Sequence, residues 1–377
     1  MSAADFLVVG GGIAGLSLAA RLVVLGRVTV LEGEDALGYH SSGRSVSFSH
    51  FGIGGDAVRG LTSYSQSFFR SPPDGFCETP LSRRLATLYF ADAAATDLLD
   101  ALGSAMRAYS DAIEPVDEAG LGRLCPALRI GDGAAVRGLV DPCGLKLDTD
   151  AFLQANARAV RAGGGEILIG RRIAGIARSG EAWRLTTEAG EVHEAEILIN
   201  AAGAWADRIA ALAVVAPLGL RPMRRTIIAL DPPQDAAAWP FSHSVRGDFY
   251  MMPEAGQLLV SPADEVADDP CDAQPEDYDI ALAADRLEHY TSLSVTRIAH
   301  RWAGLRTFTS DRVPTAGFAA DARGFFWLAG QGGYGFQTAP AMADAAMSLI
   351  AGTAWPAGLA GLGVHADTIS PERLRDG

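Results

Sequence analysis

Residues 6–32 constrain the fold more than any other stretch of this 377-residue chain. Phe6 to Val9 is a short apolar run, and Gly10-Gly11-Gly12-Ile13-Ala14-Gly15 follows it. Leu16 to Leu25 then reads as a helix ended by Gly26-Arg27, and Val28 to Leu31 is a second apolar run closed by Glu32 and Gly33. That order is a G-x-G-x-x-G loop inside a complete βαβ unit, with an acid at the tip of the second strand. Gly10 permits the tight turn, Gly12 lets backbone approach a pyrophosphate, and Gly15 lets the helix pack on the strand. The helix N-terminus at Ala14 offers N–H groups and a positive dipole end to phosphate. Glu32 can accept from both hydroxyls of an adenosine ribose, which disfavours a 2′-phosphate there.

Two later segments repeat the strand, loop and helix order. Glu194 to Asn200 reads as a strand, followed by Ala201-Ala202-Gly203-Ala204-Trp205 and a helix from Ala206 to Leu212. Gly324 to Ala329 reads as a buried strand, followed by Gly330-Gln331-Gly332-Gly333-Tyr334-Gly335 and a helix from Thr338 to Ala351 with Pro340 in its first turn, where proline is tolerated. Asp148 to Ala162 reads as a helix capped by Gly163-Gly164-Gly165, and strands at 166–169, 172–178 and 182–188 read as a β-meander. A hairpin is expected from Phe249–Met252 and Gln257–Ser261. The late glycine loop predicts a discontinuous nucleotide domain built from 1–75, 146–215 and 296–377. Residues 76–145 and 216–295 then form a second, β-sheet-rich substrate domain. The expected class is α/β (α+β overall) with a Rossmann-like first domain.

Composition narrows the partners. The formal charge of −14 argues against nucleic acid, which needs a basic face. No apolar run is long enough to span a membrane. The N-terminus MSAADFLVVG has no Lys or Arg ahead of its apolar run and does not read as a secretory signal. Cys77, Cys125, Cys143 and Cys271 have no metal-ligand spacing, so no metal is expected and the thiols read as reduced in a cytoplasmic protein. Lys146 is the only lysine, which leaves one candidate for any lysine chemistry. Residues 263–279 hold eight acids and no base, and read as a solvated loop and helix start.

The Gly10–Gly15 loop with Glu32, Gly38-Tyr39-His40-Ser41-Ser42-Gly43-Arg44-Ser45, Asn200–Trp205, Trp302-Ala303-Gly304-Leu305-Arg306 and Gly330–Gly335 occur in that order. Together they resemble the D-amino-acid oxidase superfamily of FAD enzymes, which includes glycine oxidase and sarcosine oxidase. The likeness is greatest to the bacterial FAD-dependent D-arginine dehydrogenases, and it covers essentially the whole chain. The resemblance implies FAD, with the late helix directing its N-terminus at the flavin pyrimidine ring so that Gly332, Gly333, Tyr334, Gly335, Phe336 and Gln337 border the ring. Ser41, Ser42, Arg44, Ser45 and Val46 would run along the pyrophosphate and flavin edge, with Arg44 either a phosphate partner or a solvated loop arginine. Gly203 and Trp205 would border the cofactor, and Ile173 would give backbone contacts to the adenine.

The resemblance also implies a D-amino acid whose carboxylate is held by a planar arginine fork. Arg306 matches that arginine, Tyr250 matches a tyrosine donating to the same carboxylate, and Arg224 or Arg225 would be a second anchor. A structural salt bridge is the competing role for Arg306 and Arg224. Backbone carbonyls near Gly333 would accept from the amine. Hydride would pass from Cα to flavin N5, giving an imino acid that hydrolyses to a 2-oxo acid and ammonia. The substrate nitrogen must shed its proton first, so activity should rise with pH.

Some positions depart from the family. Phe48 and Ile53 stand where D-arginine-type members have histidine and tyrosine, and His50 lies close by, either a pocket group or an ordinary loop histidine. The strand Arg84–Phe90 offers no carboxylate. A wall of Phe48, Ile53, Thr87 and Met252 suits neutral or hydrophobic side chains better than arginine. Neither Cys nor Lys occurs between 295 and 377, where sarcosine oxidases carry their covalent flavin and oxygen-activating lysine. Non-covalent FAD is therefore expected, with electrons passed to a quinone or other acceptor, or to O2, and peripheral membrane association as one route to a quinone. Alternatives are a 2-hydroxy-acid or secondary-amine (sarcosine/glycine-type) enzyme, and a non-catalytic electron-relay flavoprotein subunit. The oligomeric state is left open.

Overall fold

The computed structural model describes residues 4–375. Two large sheets dominate. The first has a parallel core in the spatial order Glu166–Leu168, Val28–Leu31, Ala4–Val9, Val192–Asn200, Phe325–Ala329. These strands are apolar on both faces, as a sheet covered by helices on one side and further chain on the other requires. The helices Ile13–Leu22, Thr149–Ala162 and Gly335–Ala351 cover one face, where Leu16, Leu18 and Leu22 pack with Phe336, Met342 and Ala345. The other face buries Leu7, Leu198, Phe325 and Trp327 against Ile209 and Leu185.

Three details correct the sequence reading here. Glu166–Leu168 lies at the parallel edge of the sheet, and the antiparallel meander is Ile173–Ser179, Ala182–Thr187 and Val192–Asn200. The helix Thr149–Ala162 carries the chain there from Leu145–Leu147, a strand of a separate small sheet. The late helix starts at Gly335, so Pro340 lies beyond the first turn rather than within it. The first helix ends at Leu22 rather than Leu25.

The second sheet is antiparallel apart from one pair. It joins Val266–Ala267, Arg221–Leu230, Gln257–Ser261, Tyr250–Glu254, Phe241–Ser244, Thr87–Ala91, Arg137–Asp141 and Glu114–Asp117 in that order. Ile298–Phe308 adds to it by pairing with Arg221–Leu230 along ten register positions. The expected boundary at 296 therefore precedes a strand that hydrogen-bonds into the second sheet, and this strand groups with 216–295. Its alternation explains the placement: Ala303 and Leu305 are buried while Arg306 turns to the other face. One face of the sheet packs on the helix Asp277–Tyr290 through Ile228, Val260, Ile280, Ala283 and Leu287. The opposite face carries Ile227, Phe241 and Tyr250, together with Phe48 from a three-stranded sheet of Phe48–Ser49, Leu145–Leu147 and Ser82–Arg84. The expected hairpin is present as Tyr250–Glu254 with Gln257–Ser261, and Ala255 and Gly256 at its tip both have positive φ.

Candidate active site

Three loops leave the carboxyl ends of adjacent parallel strands, after Val9, Asn200 and Ala329. That end of an open α/β sheet is where such folds bind ligands. Here the loops open on one cavity of about 660 Å³, whose far wall is the Tyr250 face of the second sheet. Both long helices that start there leave their first N–H groups free of side-chain caps of their own: Gly12 precedes one and Tyr334 the other. Gly12, Ala14, Gly203, Gly332, Gly333 and Gly335 all line the cavity.

The glycines are demanded by close approach. A Cβ on Gly15 would stand 2.0 Å from the Gly10 carbonyl oxygen, and one on Gly10 would stand 2.4 Å from the Ala201 oxygen at a φ of +113°. Glu32 is fixed by two backbone donors, Gly11 N–H at 2.6 Å and Glu34 N–H at 2.8 Å. Gly33 packs on Arg172, so Glu32, Gly33 and Ile173 gather at one end, outside the cavity lining. Ser42 Oγ accepts from the Ile13 N–H at 3.0 Å, and Ser41 donates to the Leu305 carbonyl. Ser41, Ser42, Ser45 and Val46 line the cavity, as do Tyr334 and Phe336. Trp205 packs on His40 instead. Gln337 spends its side chain on the His50 N–H and Thr62 Oγ, so only its backbone N–H is free to serve a ligand.

This cradle fits FAD. The first helix would hold the pyrophosphate, Glu32 the ribose and the Gly332–Phe336 turn the flavin ring, with two helix dipoles on a ligand that is anionic at one end and becomes so at the other.

Arg44 is no solvated loop arginine, and it lines the cavity. Its guanidinium pairs with Asp272 and donates to the carbonyls of Ala273 and Ala303, at 2.8 and 3.1 Å. The acidic segment 263–279 is largely exposed and leads into the helix Asp277–Tyr290 as expected, but its acids also have fixed partners. It supplies Asp272 to Arg44, Asp264 and Glu265 to Arg225, Glu265 to Arg306 and Arg312, and Asp268, Glu276 and Asp279 to Arg224. The acids are the counter-charge of arginines that converge from distant segments, a pairing no local pattern announces.

Register separates the two neighbouring arginines. Arg225 is opposite Gly304 and Met223 is opposite Arg306, so Arg225 and Arg306 are diagonal on one face. Arg224 is opposite Leu305 on the other face, buried and enclosed by three acids. Arg225 lines the cavity and Arg224 does not, which corrects the assignment of Arg224 as a site residue. Arg225 spends Nε and one Nη on the carbonyls of Asp264 and Ala263 and lies over the Tyr250 ring.

Arg306 crosses Gly333 so closely that a Cβ there would stand 2.7 Å from Nη1. Its Nη2 donates to Glu265 at 2.6 Å, while its buried Nε has no protein partner. Burial, then the charge of Arg225, push its pKa down to about 9, against the opposing pull of Glu265. Tyr250 lines the same wall, so the structure brings Arg306, Arg225, Tyr250, Gly333 and His50 to one chamber.

The rest of that chamber is aromatic. His50 hydrogen-bonds the Tyr89 hydroxyl through Nδ1 and stacks on His243, which in turn stacks on Tyr89. Burial pushes the His50 pKa down to about 3, and burial with the charges of His50 and Arg225 holds His243 well below its ordinary value. Both are neutral imidazoles at pH 7. His243 Nε2 is buried without a protein partner. The sequence reading missed His243, whose signal was its place two residues after Phe241 on a strand directly opposite Tyr250. Phe48 and Ile53 line the cavity as expected, joined by Ile227 and Phe241, whereas Thr87 and Met252 are buried outside the lining. Lys146 is buried in its short strand, paired with Glu254 at 3.4 Å, and does not line the cavity.

Residues 5–349 match the FAD dependent oxidoreductase family designated DAO, and the chain belongs to it. It is 26% identical over 353 residues to the tRNA 5-methylaminomethyl-2-thiouridine biosynthesis bifunctional protein MnmC of Caulobacter vibrioides, a match taking in 89% of this chain and 53% of that protein. The chain thus spans about half the length of that curated relative. Among solved structures, L-proline dehydrogenase from P. horikoshii superposes with a TM-score of 0.85 at 19% identity, over 100% of this chain and 99% of the other. Glycine oxidase from Geobacillus kaustophilus superposes with a TM-score of 0.81 at 18% identity, over 94% and 96%. The chain is therefore a member of the FAD dependent oxidoreductase family with the fold of these enzymes. Among the described residues no helix is long and apolar enough to cross a membrane, and no cluster of His, Cys, Asp or Glu could hold a metal ion.

Proposed function

We propose that this protein oxidises the C–N bond of an α-amino acid to an imine, which water converts to a 2-oxo acid and ammonia. The observation that carries the reading is Arg306, seated against Gly333 at the mouth of the late helix with its Nε unpartnered and Arg225 on the same sheet face. A fork so placed orients a carboxylate. Bound FAD supplies the two-electron acceptor for hydride leaving Cα. Tyr250 completes the carboxylate seat, and the carbonyls of the glycine turn accept from the substrate amine. An electron-relay subunit has no use for such a seat.

The finer reading is a D-amino acid with a neutral or apolar side chain. Phe48, Ile53, Ile227 and Phe241 support the apolar preference. The acids that border the chamber, Glu265 and Asp311, are both tied to arginines, which leaves no free carboxylate for a cationic side chain. The D configuration rests on the motif resemblance alone. A secondary-amine substrate is the second reading, favoured by likeness to an enzyme named for L-proline, which is a secondary amine. The tRNA role in the name of MnmC is a poor guide here, because a net charge of −14 disfavours nucleic acid. FAD is expected to be non-covalent, the acceptor a quinone, another carrier or O2, and the setting cytoplasmic.

The test is product analysis with an artificial acceptor. Ammonia and a 2-oxo acid should appear from single D-amino acids with apolar side chains. Formaldehyde or cyclic imines from N-alkyl substrates would select the second reading, and turnover of 2-hydroxy acids alone would reject both.

A further inference from the structure

We propose that Glu265 is an internal competitor for the carboxylate seat: it occupies Arg306 in the ligand-free protein and withdraws onto Arg312 when a substrate carboxylate enters. This rests on the reading of Arg306 as that seat.

The geometry gives Glu265 two unequal holds. On Arg306 it has a single contact, Oε1 accepting from Nη2 at 2.6 Å, and the adjacent Nε is left empty. On Arg312 both of its oxygens accept, at 2.8 and 2.7 Å. An incoming carboxylate can take Nε and Nη2 of Arg306 together, and a two-point fork outcompetes a one-point contact. The displaced Glu265 keeps its firmer hold on the partly exposed Arg312, so no carboxylate is stranded without a partner. Charge favours the exchange as well. Arg225, Arg306 and Arg312 share Glu265 in the ligand-free state, and a second carboxylate reduces the excess of positive charge. The shift needs only the Glu265 side chain to move, because the backbone before it is held by Arg225 at the carbonyls of Ala263 and Asp264.

Substrate affinity is then set by an exchange rather than by an empty seat. The experiment is titration of the flavin-loaded enzyme with benzoate, a carboxylate it cannot oxidise, following the flavin absorbance. In Glu265→Asp the charge stays but the side chain is shorter and remains on Arg312, so the benzoate Kd should fall roughly tenfold, the equivalent of one charge-assisted contact. Glu265→Gln should shift it the same way. Arg312→Gln removes the retreat and should raise the Kd by a similar factor. Flavin content and Tm, measured alongside, identify any variant that has not folded. If Glu265→Asp binds no tighter while Arg306→Met loses binding, the competitor is refuted and the carboxylate seat stands. If Arg306→Met still binds benzoate at the wild-type Kd, the seat itself is wrong.

Discussion

The two ends of the cavity are built on different principles. At the nucleotide end the ligand-facing groups are backbone N–H donors and glycines contributed by two strand, loop and helix units, with Glu32 pinned by its own neighbours. At the end proposed to seat a carboxylate they are side chains: Arg225, His243, Tyr250 and Arg306 meet across four strands, with Arg225 and Arg306 about 80 residues apart in sequence and countered by an acidic segment on yet another connection. Chemistry carried by backbone is local, and chemistry carried by side chains depends on register. The first end tolerates few substitutions at its glycines and draws its electrostatics from helix dipoles. The second is a balance of charges, and each arginine matters in proportion to the face on which it sits.

The largest expected effect comes from the backbone end. Gly15→Val puts carbon where the Gly10 carbonyl oxygen already lies, and should give protein without flavin, read from the ratio of absorbance at 450 and 280 nm. Normal flavin content in that variant would break the claim that close packing there holds the cofactor loop.

At the other end, Arg306→Met removes a charged donor pair and should lower kcat/KM about a hundredfold, the equivalent of roughly 3 kcal/mol, with flavin content unchanged. Arg224→Met separates the two adjacent arginines. It leaves buried Asp279 without its partner and should cost about 3 kcal/mol of stability, seen as a lower Tm, while kcat/KM of the folded enzyme stays within about threefold. The opposite outcome, a stable variant with collapsed kcat/KM, would reverse the register argument.

The smallest effect is one of pH. His50 and His243 are held neutral in the folded protein, His50 down to about pH 3, whereas in the unfolded chain they titrate near 6.5. Below pH 6.5 the unfolded chain therefore binds protons that the native state refuses, and stability falls as pH falls, by up to about 1.4 kcal/mol per unit for each histidine. Tm should decline from pH 6.5 to 5, and His243→Asn should flatten that slope. Parallel slopes in the two proteins would mean that His243 is not held neutral.

The same contrast sets what the sequence could disclose. The Gly10–Gly15 turn, Glu32 and the late glycine loop are contiguous, and each glycine has a steric reason visible in its own motif. The Phe249–Ser261 hairpin was legible for the same reason, its turn and its alternation lying side by side. The place of Arg306 in the cavity wall was legible because its WAGLR context carried it. The choice between Arg224 and Arg225 was not, since it depends on which of two adjacent residues faces Gly304 on a strand more than 70 residues away. Nor were the arginine partners of the acids in 263–279: a run of like charges looks solvated until its partners arrive from elsewhere. His243 had no local signal beyond alternation. Glu166–Leu168 was assigned to the wrong pairing because strand length says nothing about which edge a strand joins.

One measurement tests the central claim most directly. Flavin-loaded wild type and Arg306→Met would be mixed anaerobically with single D- and L-amino acids, glycine, sarcosine and 2-hydroxy acids while the 450 nm band is followed. Rapid bleaching of the wild type by D-amino acids with apolar side chains, slowed about a hundredfold in Arg306→Met, is the predicted result. Equal bleaching of both proteins, or no bleaching of the wild type by any amino acid or amine, would contradict an amino-acid oxidoreductase organised around Arg306.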